Sequence, residues 1–362
     1  MQIIIIDTSS NLNEIKKIWE SFDSESFFLS WPWIETWLHS LPNNAKPQFA
    51  KVLNDKMDIV AAFFLGNQFY LRNKIIPTKT FHLNNTGILL YDNALWSEYN
   101  QILIKDKNID FTKIIDALPT YWEEFFLSCL DKKSYPANLS PINNKKYSLK
   151  NLKTEPAYCI DLDTIRNNNL DPIKHISSNT RSQIKRSYKK YQDIFVEEAS
   201  NIQIALNYFQ EMIQLHKKWY RNKNANSSFD SPYSLIFHTS LIQNCFDKGY
   251  IQLLKISTTG STIGIIYNFI YKGRVNFYQS GMEIVNDKHK RPGLVCHCEA
   301  IKLNAQKGLK YYDFLAGKER YKSSFSTHEN ELVWHKVQKK KLKFRFESAL
   351  IQIIRKWIIK KQ

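Results

Sequence analysis

At 362 residues the chain is too long for one ordinary hydrophobic core, and its 43% apolar and 14% aromatic content is enough to fill two. No apolar run is long enough to cross a bilayer as a helix, and the composition excludes a fibrous or disordered chain. The net charge of +17 invites anionic partners, although residues 336–362 contribute +9 of it, from ten basic residues against one acid.

The isoleucines at Ile3, Ile4, Ile5 and Ile6 stop at Asp7 and follow no basic lead-in. They read as a first β-strand rather than a secretory leader, and a cytoplasmic protein is expected. Further on, residues 32–38 and 122–130 read as helices, and residues 49–53 and 59–65 as strands. A polar, turn-rich stretch at 139–146 marks a boundary. It divides the chain into a first domain at 1–145, a second at 146–335 and a basic tail at 336–362.

The second domain is the more regular. Ser177 and Ser178 are N-cap candidates for a helix reaching about Tyr191, with Ile184, Tyr188, Tyr191 and Arg181 on one face. A second helix covers about 202–220, striped by Ala205, Tyr208, Phe209, Met212, Leu215, His216 and Trp219. Strands at 252–257, 262–271 and 275–282 follow through turns at Gly260 and Gly273, the pattern of an antiparallel meander. Pro292 opens a helix that stops at Gly308, and a strand follows at 310–315. The expected class is α/β, with mixed, mostly antiparallel sheets flanked by helices.

Lys288, Lys290, Arg291, Pro292, Gly293 and Leu294 stand where that helix begins. Free N–H groups, the positive end of the helix dipole and the preceding cations suit a pyrophosphate. The alternative is an ordinary basic loop. Asp313, late in an aromatic strand, is either a paired structural acid or a base that removes a proton from an amine. Cys296-His297-Cys298 is too compact for a structural zinc site and reads as buried thiols on the helix, so no metal is expected. The odd count of five scattered cysteines argues against a disulfide framework.

Five stretches together resemble a known family. They are Phe28-Leu29-Ser30-Trp31-Pro32-Trp33-Ile34-Glu35-Thr36-Trp37-Leu38; Asn179-Thr180-Arg181 with Lys185-Arg186; Leu215-His216-Lys217-Lys218-Trp219; Tyr278-Gln279-Ser280-Gly281 continuing to Arg291-Pro292-Gly293-Leu294; and Tyr312-Asp313-Phe314-Leu315-Ala316-Gly317 with Tyr321-Lys322. Their order, over about residues 25 to 335, is similar to the GNAT acyltransferase core. It resembles more closely the acetyltransferases associated with cellulose and exopolysaccharide biosynthesis, and their relatives the Fem-type peptidoglycan aminoacyltransferases, which double the GNAT fold.

The resemblance implies tandem GNAT-like domains, with acyl-CoA (acetyl-CoA or a longer chain) as co-substrate in the gap beside the third meander strand. The acceptor it implies is an amine, on an amino sugar or another envelope precursor. On this pattern Asp313, His216 and Tyr278 are candidate catalytic groups. Arg291, Pro292, Gly293, Leu294, Tyr321 and Lys322 would hold the donor, and Arg181, Trp219, Gln279 and Glu283 the acceptor. Structural roles compete at each: His216 as a core histidine, Tyr278 as strand packing, Arg181 in an ion pair with Asp313, Tyr321 and Lys322 as caps on the sheet edge. The sequence departs from the superfamily where Lys290-Arg291-Pro292-Gly293-Leu294 replaces a loop of spaced glycines, which leaves aminoacyl-tRNA as a competing donor.

In the tail, Leu350, Ile351, Ile353, Ile354, Trp357, Ile358 and Ile359 stripe one side of an expected helix surrounded by lysine and arginine. That arrangement suits peripheral attachment to an anionic membrane surface. The competing arrangement is a helix docked on the core. A non-enzymatic membrane- or nucleic-acid-binding protein is the remaining alternative, and no familiar nucleic-acid motif stands in the sequence.

Overall fold

The computed structural model describes residues 1–106, 109–133, 144–191 and 193–347. Six strands belong to the first half: β1 (Gln2–Ile6), β2 (Gln48–Leu53), β3 (Ile59–Arg72), β4 (Ile76–Leu83), β5 (Leu103–Ile104) and β6 (Glu124–Asp131). Seven belong to the second: β7 (Tyr147–Asp161), β8 (Phe195–Glu198), β9 (Ile251–Thr258), β10 (Ser261–Tyr271), β11 (Arg274–Met282), β12 (Tyr311–Ala316) and β13 (His328–Lys339). The helices are α1 (Leu12–Glu20), α2 (Trp31–Ser40), α3 (Leu89–Asp92), α4 (Phe111–Ala117), α5 (Leu162–Asn167), α6 (Ser178–Lys190), α7 (Ile202–Arg221), α8 (Pro232–Cys245), α9 (Pro292–Gln306) and α10 (Arg320–Phe325).

All the strands join one mixed 13-stranded sheet in the order β1-β2-β3-β4-β6-β13-β7-β12-β11-β10-β9-β8, with β5 beside β3. The two halves repeat one plan. In the first, β1 to β4 pair antiparallel, and β6 lies parallel to β4. In the second, β8 to β11 pair antiparallel, and β12 lies parallel to β11 after the α9 crossover. The outermost strand of each plan is exchanged. β13, from the end of the second half, pairs with β6 of the first, while β7 pairs with β12. β7 and β13 also pair with each other from His328–Cys159 to Lys339–Tyr147, which fuses the sheet across the expected domain boundary.

Side-chain alternation sends each strand's residues to both faces. Ala62 and Phe64 enter one core with Tyr267 and Phe269, while Ala61, Phe63 and Leu65 enter another on the opposite face. The shared core lies under α1, α2, α7 and α8. There Trp33 of α2 meets Phe237 of α8 with ring centroids 4.8 Å apart. The second half's other face is covered by α5, α6 and α9.

Most expected elements are found within a residue or two. Residues 122–130, expected as a helix, instead lead into strand β6 from Glu124 on, buried or half-buried on both faces in mid-sheet. The expected tail does not begin at 336. Lys336–Lys339 complete β13, and Lys336 is buried, its Nζ 2.7 Å from Glu124. Glu124 also accepts from Tyr70 Oη at 2.6 Å and Gln338 Nε2 at 2.6 Å, and pairs with Arg72. The core of the 139–146 boundary and the apolar stripe at 350–359 lie outside the described residues.

Candidate active site

β11 and β12 are paired only through Arg274–Asn276 and Tyr311–Asp313. Beyond that point β11 continues to Met282 and β12 to Ala316, and the two strands part. Each is irregular where they part. In β11, Gln279 faces Tyr267 and Phe277 faces Asn268, so Tyr278 is the extra residue of a bulge. In β12 the register against β7 shifts between Asp313 and Ala316, and Leu315 adopts φ 60°. A non-glycine residue held there costs roughly 1–3 kcal/mol, and such strain concentrates at functional sites.

A segment of the first half enters this opening. Trp96 donates its backbone N–H to Tyr278 Oη at 3.2 Å, and Tyr99 Oη donates to Asp313 Oδ2 at 2.7 Å. Between them, Glu98 Oε2 accepts the N–H of Ala316 at 2.6 Å. Asp313 is fully buried and already engaged: Arg274 Nη1 lies 2.9 Å from Oδ2, and Leu315 N donates to Oδ1 at 2.8 Å. Its ion-pair partner is therefore Arg274 and not Arg181. Arg181 Nη2 instead donates to the carbonyls of Lys174 and Ile176, at 2.9 and 3.0 Å, and pins the chain ahead of α6.

Glu98 is the acid that sequence reasoning missed. It is buried, and desolvation pushes its carboxyl up to about 7 against the opposing pull of the Ala316 N–H and the Lys322 ammonium. Its second oxygen accepts no hydrogen bond among the described residues. Lys322, expected at the donor site, is buried beside it and donates to the Ala316 carbonyl at 2.6 Å. Gly317 permits this approach, since a Cβ there would stand 2.6 Å from Lys322 Nζ. Tyr321 stacks on His297 with ring centroids 5.0 Å apart. Tyr278 is buried among aromatic rings, and burial raises its hydroxyl, so it keeps its proton.

Across β11, His216 and Gln279 meet. The His216 imidazole is buried near Gln279 and places Nδ1 2.9 Å from Ser227 Oγ. Burial lowers it to about 4, so the ring is neutral at physiological pH. Trp219 stands apart, its indole exposed beneath Lys223 Nζ at 3.9 Å. Glu283 accepts from Tyr191 Oη at 2.6 Å and ties the end of β11 to the end of α6.

Where α6 approaches the start of α9, Gln183, Arg186, Lys288, His289 and Arg291 line a cleft of about 180 Å³. Arg291 is the N-cap of α9, and its N–H donates to Ser187 Oγ at 2.8 Å. Pro292 occupies the first helical turn and Leu294 is half-buried behind it. A Cβ on Gly293 would meet no atom within 4 Å, so the helix opens onto free space. Lys290 lies over the Tyr191 ring at 4.8 Å. Of the expected residues, those around Arg291 thus form one cluster, and Tyr278, Asp313 and Lys322 a second. His216 and Gln279 form a third, with Arg181 and Trp219 outside all three. Cys296 and Cys298 are buried free thiols on α9, with His297 buried between them.

Residues 178–323 match the family described as acetyltransferase (GNAT) domain. No curated protein matches the chain. Among solved structures the fold is similar to that of FemX, at TM-score 0.56 and 10% identity over 92% of this chain and 97% of that one. It is also similar to a conserved protein of unknown function from Bacteroides thetaiotaomicron VPI-5482, at TM-score 0.52 and 12% identity over 92% and 98%. A third likeness is the C-terminal domain of a protein described as a lysylphosphatidylglycerol synthetase from Agrobacterium fabrum, at TM-score 0.52 and 8% identity over 96% and 95%.

Proposed function

We propose that the protein transfers an acyl group from acyl-CoA to an amine, with an amino sugar or another envelope precursor as acceptor. The observation that carries this reading is the parting of β11 and β12 at paired irregularities, in the same half as a cationic cleft on the start of α9. The cleft suits the donor's phosphates, because Arg186, Arg291 and the helix dipole all favour an anion there. A bulge frees backbone N–H groups to polarise a thioester carbonyl.

In the transfer, the amine nitrogen forms the new bond to the carbonyl carbon, and the carbon–sulfur bond breaks. Glu98 takes the proton from the amine, and Tyr278 is the candidate donor to the departing thiolate. Asp313 serves as an anchor: it holds Arg274 and Tyr99, and so positions Glu98.

Calorimetry with acetyl-CoA and a longer-chain acyl-CoA tests the donor. Saturable binding is expected, weakened about tenfold or more by Arg186→Ala and by Arg291→Ala, each removing a charge-assisted contact to phosphate. Absence of binding to either thioester sinks the acyl-CoA reading. Transfer from aminoacyl-tRNA instead would keep the site and change the donor.

A further inference from the structure

The β3–β4 hairpin outruns its neighbours. β2 pairs with β3 only as far as Leu65, and β6 reaches β4 only at Thr80–His82, so residues 69–79 project from the sheet with each other as strand partners. A solvent-facing tip of this kind is expected to be polar. Here Phe69, Leu71 and Ile75 are each 54% to 69% exposed. Residues 342–347 are helical, and Leu342 and Phe346 on them are 68% and 72% exposed.

These two elements are pinned to each other. Glu347 accepts from Arg72 Nε at 2.6 Å and from Asn73 Nδ2 at 2.5 Å, and the Arg72 guanidinium lies 5.6 Å from the Phe344 ring centroid. Lys343 hydrogen-bonds the Pro77 carbonyl. Strand alternation puts Phe69 and Leu71 on the face away from Tyr70 and Arg72, which are held inward on Glu124. The apolar groups therefore flank both sides of one protruding tip. Lys74 and Lys79 on the hairpin, and Lys340 and Arg345 before and within the helical turn, are exposed and in no ion pair among the described residues.

We infer that this tip and the adjoining helical turn dock the protein on an anionic lipid bilayer, with the aliphatic and aromatic side chains entering the interface and the unpaired cations meeting lipid phosphates. Charge alone would fit a nucleic acid equally well. The exposed Leu71, Ile75 and Leu342 would not, because aliphatic side chains neither pair with phosphate nor stack on bases, whereas a bilayer buries them.

The test is co-sedimentation of the full-length protein with vesicles of phosphatidylcholine, with and without phosphatidylglycerol. Binding to the phosphatidylglycerol vesicles is expected, with little to phosphatidylcholine alone. Combined Phe69→Ser, Leu71→Ser and Ile75→Ser substitutions should weaken it about tenfold or more. Leu342→Ser with Phe346→Ser should weaken it in the same direction. All five positions are mostly exposed, so an unchanged melting temperature certifies the fold of each variant. Variants that bind vesicles as the wild type does overturn the proposal. So does a wild type that ignores both vesicle types but retains transfer RNA through its lysines. The readout is partitioning, so failure of acyl transfer leaves it untouched.

Discussion

Glu98 has the chemistry that Asp313 lacks. A general base needs a free lone pair and an affinity for protons near the working pH, and the Asp313 carboxylate is occupied by Arg274, Tyr99 and Leu315. Glu98 has one oxygen on a backbone N–H and a carboxyl raised to about 7. A base works deprotonated, so the transfer rate is expected to rise through about pH 7 and level off above it. Glu98→Gln should lower kcat by about 10²–10⁴-fold and remove that rise. Stability moves the other way. The native state holds this proton more tightly than the unfolded chain, whose reference is 4.5, so wild type loses stability between 4.5 and about 7 while the glutamine variant does not. A pH–rate profile and melting curves at two pH values check both; wild-type turnover in folded Glu98→Gln would remove the residue from the mechanism. Asp313 could be picked out of the sequence because it interrupts an aromatic strand. Glu98 sits in Trp96-Ser97-Glu98-Tyr99-Asn100, a stretch with no periodicity, and its burial arises only when the other half closes over it.

The start of α9 shows what can be learned from local signals. Pro292, the preceding cations and the Gly308 stop were all legible, because helix ends are set by short-range chemistry. Gly293 makes a sharp test. No atom opposes a Cβ there, so Gly293→Ala should leave the melting temperature unchanged or raise it, alanine favouring a helix over glycine by up to about 1 kcal/mol. Donor binding should nonetheless weaken severalfold if the phosphates approach the backbone, and unchanged affinity in calorimetry would move the donor away from this turn. Elements shaped by long-range contacts were harder to read. The run at 122–130 is apolar enough for a buried helix or a buried strand, and only its place between β4 and β13 decides. β13 alternates polar residues inward because Lys336 and Gln338 meet the buried Glu124. α8 was not anticipated. It is apolar on several sides because α2 of the first half covers what solvent would otherwise touch.

The two halves share a plan but not a capacity. In the first, the strands also part after a short parallel register, and Cys129 adopts φ 58° much as Leu315 does in the second. That opening is stitched shut. Asn100 Nδ2 donates to the carbonyls of Leu83 and Ser128, at 3.0 and 3.1 Å, and Asn84 Nδ2 donates to Asn100 Oδ1 at 2.7 Å. On the proposed mechanism, the first half contributes Glu98 to the opening between β11 and β12. The strand exchange, the buried Glu124 cluster and the shared core bind the halves into one sheet. Unfolding should accordingly be a single transition, with tryptophan fluorescence and far-ultraviolet circular dichroism coincident in denaturant. Two separated transitions would mean that the halves are energetically independent.

The exchange also sets a timetable for synthesis. β6 leaves the ribosome with one edge unpaired, and the strand that covers it, β13, ends 208 residues later at Lys339. At about 5–20 residues per second the nascent first half waits roughly 10–40 s with a central strand acting as a temporary edge. An uncovered edge is a template for foreign strands. Translation speed across β7 to β13, and chaperone occupancy during it, should therefore govern the soluble yield of this protein more than the stability of either half.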